Sequence, residues 1–228
     1  MTALLVEHLR FAYDRELALD DVSFETGDSE SVAIVGANGS GKSTLLWCVA
    51  GLLRASGRIL IFGEPPGKKA LARIGMVFQN PEDQLFMPTL IQDLALPLLN
   101  AGNGRDEAHR AATALLREFG LEKYGDRPAS HLSLGQRKRA AVALALVRKP
   151  DLLLFDEPTA ELDGRAQRQL SATLQNLVVA KLVASHDLDF LRRVTTRALV
   201  LSGGRIIASG PTQEVLSDSD LLDRAGLV

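Results

Sequence analysis

The sequence predicts an α/β fold: a doubly wound core that carries extra strands at its N-terminal end and a helical insertion in its middle. Two observations support this fold class. Strands and helices alternate in residues 149–228, where residues 152–155 form the continuous apolar run of a parallel strand buried on both faces. In the first third, a glycine-rich loop joins an apolar strand to a helix.

Taken in order, residues 2–35 read as three short strands, and the glycine-rich loop of residues 36–41 follows. A helix opens at Lys42 and a further strand spans residues 58–62. From residue 81 to about 148 the pattern is helical. Here Asp106 is expected to cap a helix that ends at Gly120. We therefore predict one domain, with a core formed by residues 1–80 and 149–228 and a helical subdomain at about 81–148.

Composition excludes several classes of protein. The formal net charge of −2 gives no basic field for nucleic acid, so no nucleic-acid partner is expected. Cys48 is the only cysteine, which excludes an intrachain disulfide and fits a reducing compartment. No signal-peptide pattern and no apolar run long enough for a membrane helix is present. We expect a cytoplasmic protein whose membrane role, if any, comes through a partner.

The glycine-rich loop fits the pattern G-x-x-x-x-G-K-[ST] between a strand and a helix. Glycines let successive backbone N–H groups turn towards one anion, and the helix end adds a partial positive charge. The dipole alone contributes only about 0.3–1 kcal/mol, so Lys42 and a magnesium ion held by Ser43 must supply much of the binding. The candidate nucleotide-binding residues of this segment are Gly36, Asn38, Gly39, Ser40, Gly41, Lys42, Ser43 and Thr44.

Two carboxylates follow the buried strand of residues 152–155, at the strand end where α/β sheets bind ligands. Because neighbouring strand residues point in opposite directions, Asp156 and Glu157 should play different parts. We assign Asp156 to the magnesium ion and Glu157 to the attacking water, as general base or positioner.

Ser133 and Gly135 stand at the start of a long helix, where a hydroxyl and free N–H groups make a second candidate anion site. From these residues alone, a simple helix N-cap explains the pattern equally well.

Five motifs of this chain resemble those of the ATPases of ABC transporters. They are the glycine-rich phosphate loop, LSLGQ (residues 132–136), LLLFDEP, AELD ending at Asp163, and SHD (residues 185–187). Their order is the order in that family, and the resemblance covers essentially the whole chain. It implies a P-loop NTPase (RecA-like) core with an N-terminal antiparallel β subdomain and an inserted α-helical subdomain. It also implies a head-to-tail dimer, of two copies or of close paralogues, that encloses two ATP molecules.

Further roles follow from the same resemblance. Ser133, Gly135 and Gln136 would contact the nucleotide held by the neighbouring subunit, and Asp163 would communicate across the dimer. Leu134 stands where the family usually has glycine. The resemblance also implies roles for four other residues. Tyr13 would stack on adenine and Gln79 would sense magnesium. His186 would contact the γ-phosphate, and Lys42 would act in catalysis.

The segment QNPEDQLF (residues 79–86) resembles the energy-coupling factor ATPases, which drive uptake of vitamins or of cobalt and nickel. Such a subunit would lie at the cytoplasmic face of the cell membrane and dock on an integral membrane coupling subunit. We expect the docking site near residues 79–87, where the acids Glu82 and Asp83 border the apolar residues 85–87. Those apolar residues could instead pack the helical lobe.

Two other functions compete with this reading. A soluble ABC-type ATPase would hydrolyse ATP without coupling to transport, and a small-molecule kinase would share only the phosphate loop. The kinase hypothesis is disfavoured because the chain also carries the Asp156–Glu157 pair, the segment of residues 132–136 and His186.

Overall fold

The computed structural model describes residues 2–227 of the chain. The strands are β1 (Thr2–Tyr13), β2 (Glu16–Gly27), β3 (Ser31–Val35), β4 (Ser56–Ile61), β5 (Ile74–Val77), β6 (Leu152–Asp156), β7 (Ala180–Ala184), β8 (Arg197–Ser202) and β9 (Arg205–Pro211). The α-helices are α1 (Lys42–Val49), α2 (Lys68–Leu71), α3 (Leu90–Asn100), α4 (Arg105–Glu118), α5 (Leu134–Leu146), α6 (Gly164–Asn176), α7 (Leu188–Val194), α8 (Thr212–Val215) and α9 (Ser219–Arg224).

The N-terminal strands form a separate three-stranded antiparallel sheet in the order β2-β1-β4. The side chains of Leu4, Val6 and Leu9 on β1 are buried, and their neighbours Glu7 and Arg10 are less so. One apolar face therefore packs inward, and an irregularity between Val6 and Leu9 shifts the alternation by one residue. This sheet confirms the predicted antiparallel β subdomain.

The main sheet has six strands in the order β5-β6-β7-β3-β8-β9. The pairs from β5 to β8 are parallel, and β9 joins β8 antiparallel at the edge. Every residue of β6 is buried, which confirms the strand predicted at residues 152–155. The α/β fold class with a parallel core is therefore confirmed.

Alternation along the central strands divides the apolar interior into two clusters. On β3, Ala33 and Val35 face the cluster that also contains residues of α3 to α7. Val32 and Ile34 face the opposite cluster, which contains α1 and the antiparallel sheet. The main sheet is thus covered on both faces, which explains why its central strands are largely apolar.

Helices α3, α4 and α5 lie between β5 and β6 in the chain. The prediction that Asp106 caps α4 is wrong. The helix begins at Arg105, and its N-cap is Gly104, which has no side chain to cap the first turn. Asp106 lies instead in the first turn, where its negative charge suits the helix dipole. Gly120 follows the helix at φ 65°, as predicted for a helix end. Within residues 2–227, no helix is both long and apolar enough to cross a membrane.

Four neighbouring parallel strands end at the same edge of the main sheet. β3 leads into the phosphate loop, defined here as residues 36–42, and β5 leads towards Gln79. β6 is followed directly by Glu157, and His186 lies just beyond β7. Because carboxyl ends of parallel strands form the usual ligand site of α/β sheets, this edge is where the candidate residues meet.

Candidate functional site

The phosphate loop needs glycine at positions where the chain folds tightly on itself. A Cβ at Gly36 would lie 2.2 Å from the Leu201 carbonyl oxygen, and one at Gly41 would lie 2.6 Å from the Ala18 carbonyl oxygen. Gly41 also has φ 105°, a conformation that L-residues rarely adopt. It is the N-cap of α1 and offers no side-chain cap. The first N–H groups of α1 therefore remain available to an anion.

Lys42 lies inside the loop that precedes it. Its ammonium donates to the carbonyl oxygens of Gly36 at 2.8 Å and Ala37 at 3.1 Å, and its side chain is 7% exposed. Burial lowers the pKa of Lys42, while the carboxylates of Glu157 and Asp156 raise it. The loop thus holds a desolvated cation, and this cation would attract a bound anion more strongly than a cation in water would.

Ser43 and Asp156 form the candidate metal site. The Ser43 hydroxyl donates to Asp156 Oδ1 at 2.9 Å, although the two residues are 113 positions apart in the sequence. Burial raises the pKa of Asp156, and the hydrogen bond from Ser43 lowers it. A hydroxyl and a carboxylate oxygen are the hard ligands that Mg²⁺ prefers, so this pair fits the ion predicted from the sequence.

Glu157 is held by the turn after β7. Its Oε2 accepts hydrogen bonds from the Ser185 hydroxyl at 3.2 Å and from the His186 backbone N–H at 3.3 Å. The Nδ1 of His186 lies 2.9 Å from the same oxygen, and Oε1 is 4.0 Å from Lys42 Nζ. The Glu157 backbone has φ 44°. A non-glycine residue in this region costs about 1–3 kcal/mol and is characteristic of functional sites.

Lys42, Ser43, Glu157 and His186 line one open depression of about 510 Å³ at the strand ends, whereas Asp156 lies behind Ser43 and does not line it. Its volume lies within the range of about 300–1,000 Å³ typical of small-molecule sites. The predicted residues that border it are Tyr13, Asn38, Gly39, Gly41, Lys42, Ser43, Thr44, Gln79, Glu157 and His186. Glu16, Leu17 and Ala18 also border it and were not predicted. Their backbone belongs to the start of β2, which no local motif marks as part of a site.

Tyr13 lies at the rim of this depression and is 45% exposed. The ring packs edge-on against Phe11 at a centroid distance of 4.8 Å, and its hydroxyl is 3.5 Å from Thr44 Oγ1. An aromatic ring fixed at a rim in this way can stack on a flat ligand.

The signature segment (residues 132–136) lies elsewhere on the surface. Ser133 and Gln136 form a capping box at the start of α5: the Ser133 hydroxyl accepts from Gln136 N at 3.4 Å, and the Gln136 side chain accepts from Ser133 N at 2.8 Å. Gly135 and Asp163 border the same second depression, of about 360 Å³. Asp163 caps α6 through the N–H of Ala166. Among residues 2–227, none lines both this depression and the first, so one protomer does not bring the two candidate anion sites together.

The docking segment (residues 79–87) mixes buried and exposed groups. Phe86 is 68% exposed, whereas Leu85 is buried in the core, so the apolar strip predicted for residues 85–87 is wrong at Leu85. Glu82 is exposed but already forms an ion pair with Arg137 at 2.8 Å. Asp83 is exposed as well. The surface that this segment offers is therefore smaller than the sequence predicted, and it centres on Phe86 and Asp83.

Sequence reasoning missed Lys138 and Ser185. Lys138 lies within the basic run of residues 137–139, and its side chain is only 2% exposed. A signal was available: Lys138 is three and four residues before Ala141 and Val142, so it shares their buried helix face. Ser185 was noted only as part of a motif, and nothing local indicates that its hydroxyl contacts Glu157.

Comparisons with known proteins agree with this arrangement. Residues 19–160, more than half of the chain, match the sequence profile of the ABC transporter family. A protein of Gloeobacter violaceus named as an ABC transporter ATP-binding protein is 42% identical over 232 residues, covering 98% of this chain and 95% of the relative. The energy-coupling factor transporter ATP-binding protein EcfA of Carboxydothermus hydrogenoformans is 38% identical over 234 residues, covering 99% of this chain and 86% of the relative.

Solved structures are similar over the full length. The cbiO1 protein of Clostridium perfringens, described as part of the ABC transporter complex cbiONQ, matches with a TM-score of 0.83 at 33% identity, covering 99% of this chain and 95% of that chain. A nucleotide-free ATP-binding cassette from an ABC transporter matches with a TM-score of 0.85 at 26% identity, covering 98% of each chain. The chain therefore belongs to the ABC transporter family, as an ATP-binding subunit with ATPase activity.

Proposed function

We propose that this chain is the ATPase of an energy-coupling factor type importer and acts at the cytoplasmic face of the membrane. The observation that carries the proposal is the position of the docking segment. Gln79, at one end of that segment, borders the nucleotide depression, and Phe86, near the other end, is exposed to solvent. A partner seated on Phe86 would therefore be within one short segment of the bound nucleotide. The similarity to EcfA and to cbiO1 supports the same branch.

The chemistry of hydrolysis follows from the residues at the strand ends. The phosphate loop and Lys42 bind the triphosphate, and Ser43 with Asp156 would hold a magnesium ion, which supplies charge neutralisation when bound. Glu157 positions or deprotonates the attacking water, and its carboxylate is oriented by Ser185 and His186. The His186 side chain is 64% exposed, so it would turn towards a γ-phosphate by releasing its contact with Glu157.

The chain acts as half of a pair. Ser133, Gly135, Gln136 and Asp163 lie in their own depression, away from the phosphate loop of the same protomer. In a head-to-tail dimer, with a second copy or a close paralogue, this surface would meet the nucleotide on the neighbouring subunit. The capping box supports that role because it holds the Ser133 hydroxyl at the helix start. The helical region of residues 81–148 carries both the signature segment and most of the docking segment, so we propose that it moves as one subdomain.

The solute, whether cobalt or nickel ions or a vitamin, would be selected by the membrane components. The partner that fits the docking segment is an integral membrane subunit with short amphipathic helices that carry arginine, matching an aromatic side chain beside Asp83.

A pair of matched variants tests the docking assignment. Phe86→Asp removes an exposed aromatic side chain from the docking segment, and Val178→Asp makes the same kind of change at another exposed loop residue, which is 82% exposed. Each tagged chain is extracted in detergent, and the proteins that co-purify are identified by mass spectrometry. We expect Phe86→Asp to lose the membrane partner while it still binds ATP, and Val178→Asp to retain both. If Phe86→Asp and Val178→Asp retain the membrane partner to the same extent, the docking assignment is wrong.

The alternative, a soluble ABC-type ATPase without transport, makes a different prediction. It would leave Phe86→Asp without effect and would give only soluble partners in the same purification.

A further inference from the structure

The structure contains a buried lysine that the proposed mechanism does not use. Lys138, the fifth residue of α5, is 2% exposed. Its ammonium donates to the backbone carbonyl oxygen of Gln79 at 2.6 Å and to that of Glu157 at 3.2 Å. Burial lowers the pKa of Lys138, and the nearby carboxylates of Glu161, Glu157 and Asp156 raise it. Removing an ammonium from water is costly, so a site that retains one in this position calls for an explanation.

Both acceptors belong to residues at the proposed reaction centre. Gln79 follows β5, and Glu157 directly follows β6, so a single side chain joins two neighbouring strand ends to α5. The Glu157 peptide needs such support because its φ of 44° is unfavourable for a residue with a Cβ. Its N–H donates to the Ala184 carbonyl oxygen at 2.9 Å, and its own carbonyl oxygen accepts from Lys138.

We propose that Lys138 is a positioning residue for ATP hydrolysis: it fixes the backbones of Gln79 and Glu157 relative to the start of α5. Through this contact, a movement of the signature segment at the head of α5 reaches the carboxylate that orients the attacking water. The inference rests on the roles proposed above for Gln79 and Glu157.

Other contacts join α5 to the docking segment but do not reach Glu157. Arg137 forms an ion pair with Glu82 at 2.8 Å on the surface. The buried side chain of Gln84 accepts from Phe78 N at 2.8 Å and donates to the Ala141 carbonyl oxygen at 3.2 Å. The docking segment is therefore tied to α5 at several points, and Lys138 extends this connection to the end of β6.

A second buried lysine provides a matched control. Lys181, the second residue of β7, is 4% exposed and donates to the carbonyl oxygens of Leu174 at 2.9 Å and Leu177 at 2.6 Å. Its pKa is also lowered by burial. It lies near the amino end of its strand, away from the nucleotide depression at the carboxyl ends. Lys138→Met and Lys181→Met thus remove the same chemical group and the same type of contact, but only one of them touches the proposed reaction centre.

The experiment compares the two variants in the full-length chain. Steady-state hydrolysis gives kcat, a fluorescent nucleotide gives the affinity for ATP, and thermal unfolding gives Tm. We expect both variants to lose comparable Tm. We also expect Lys138→Met to lose kcat by about tenfold or more, with ATP affinity changed by less than about threefold, because a misplaced water weakens the transition state more than it weakens ground-state binding. Lys181→Met should keep its kcat within about twofold.

A conservative variant separates positioning from folding. Lys138→Gln retains an N–H donor for the two carbonyl oxygens and should recover a substantial part of the lost kcat. If Lys138→Met does not fold, Lys138→Gln is compared with Lys181→Gln, and a lower kcat only at residue 138 is expected. The inference is overturned if Lys138→Met retains kcat within about twofold, or if Lys181→Met loses as much activity.

Glu157→Gln, measured alongside, distinguishes the two possible failures. If Glu157→Gln turns over normally, the role proposed for Glu157 is wrong. If Glu157→Gln is inactive and Lys138→Met is fully active, the role of Glu157 stands and only the inference about Lys138 fails.

Discussion

Replacing Lys42 with methionine tests the nucleotide site at the residue whose charge matters most for binding. Lys42→Met keeps much of the alkyl chain and removes the only cation that the phosphate loop places among its own carbonyl groups, those of Gly36 and Ala37. The variant should fold with a lower Tm, because the apolar part of the side chain is kept while the Gly36 and Ala37 carbonyl oxygens lose their Lys42 donor. It should bind ATP far more weakly.

The size of the effect follows from the surroundings of Lys42. The ammonium is 7% exposed, and its nearest carboxylate oxygen, on Glu157, is 4.0 Å away. A phosphate charge bound at about the same distance of 4 Å from the ammonium would interact with it by roughly 4 kcal/mol at an effective dielectric constant of about 20. Since about 1.4 kcal/mol corresponds to tenfold in affinity, losing the ammonium should weaken ATP binding by roughly a thousandfold. Adding salt should reduce the difference in ATP affinity between the variant and the unmodified chain only slightly. The Lys42 side chain is buried, and buried charges are little screened by salt.

Isothermal titration calorimetry with ATP, or titration with a fluorescent analogue, measures the effect directly. Lys181→Met serves as the control, because it removes a buried ammonium that lies away from the nucleotide depression, and its ATP affinity should equal that of the unmodified chain. An affinity of Lys42→Met within about threefold of the control would refute the electrostatic reasoning and the assignment of the phosphate loop.

Three further predictions concern the same edge of the sheet and the docking segment. Glu157→Gln should bind ATP, hydrolyse it very slowly and accumulate as a closed dimer in native mass measurements, and normal turnover would move the catalytic role elsewhere. Gly41→Ala should lower Tm by more than Gly39→Ala does. Both positions have positive φ, but only at Gly41 would a Cβ meet backbone, at 2.6 Å. Equal losses of Tm in the two variants would contradict this. Asp93 accepts from Phe86 N and Met87 N, and burial raises its pKa from 3.8. The folded state therefore holds this proton more tightly than the unfolded chain, and stability is lost as pH rises from 3.8 through the raised pKa. Asp93→Asn and the unmodified chain are compared by urea unfolding between about pH 4 and about pH 7. The variant should not show the loss of stability with rising pH that the unmodified chain shows. Parallel pH profiles of the two proteins would contradict this prediction.

The elements that the sequence predicted best are those whose chemistry is local. The phosphate loop combines a fixed spacing with glycines at positions 36 and 41, where a Cβ would meet backbone. The strand at residues 152–155 shows burial on both faces in its composition. Ser133 and Gln136 are three residues apart, the spacing of a capping box, so the start of α5 was also readable. The roles assigned to these residues remain predictions.

The features that escaped prediction depend on contacts between distant parts of the chain. The ion pair of Glu82 with Arg137 joins residues 55 positions apart, and the hydrogen bond from Lys138 to the Gln79 carbonyl oxygen spans 59. Neither separation has a local signal. The docking segment illustrates the same limit at single-residue scale: Leu85 and Phe86 are adjacent and both apolar, but the irregular turn buries the first and exposes the second. Periodicity applies within helices and strands, and residues 84–87 belong to neither.

Native mass spectrometry of the tagged chain, extracted in detergent from its own membrane, tests the central claim most directly. The account predicts a complex with two ATPase subunits, either two copies of this chain or one copy with a close paralogue, together with an integral membrane partner that bears short arginine-containing helices. A solute retained by that complex would identify the cargo. Recovery of the chain alone, or only with soluble proteins, would leave the ATPase in place and contradict its proposed role in transport.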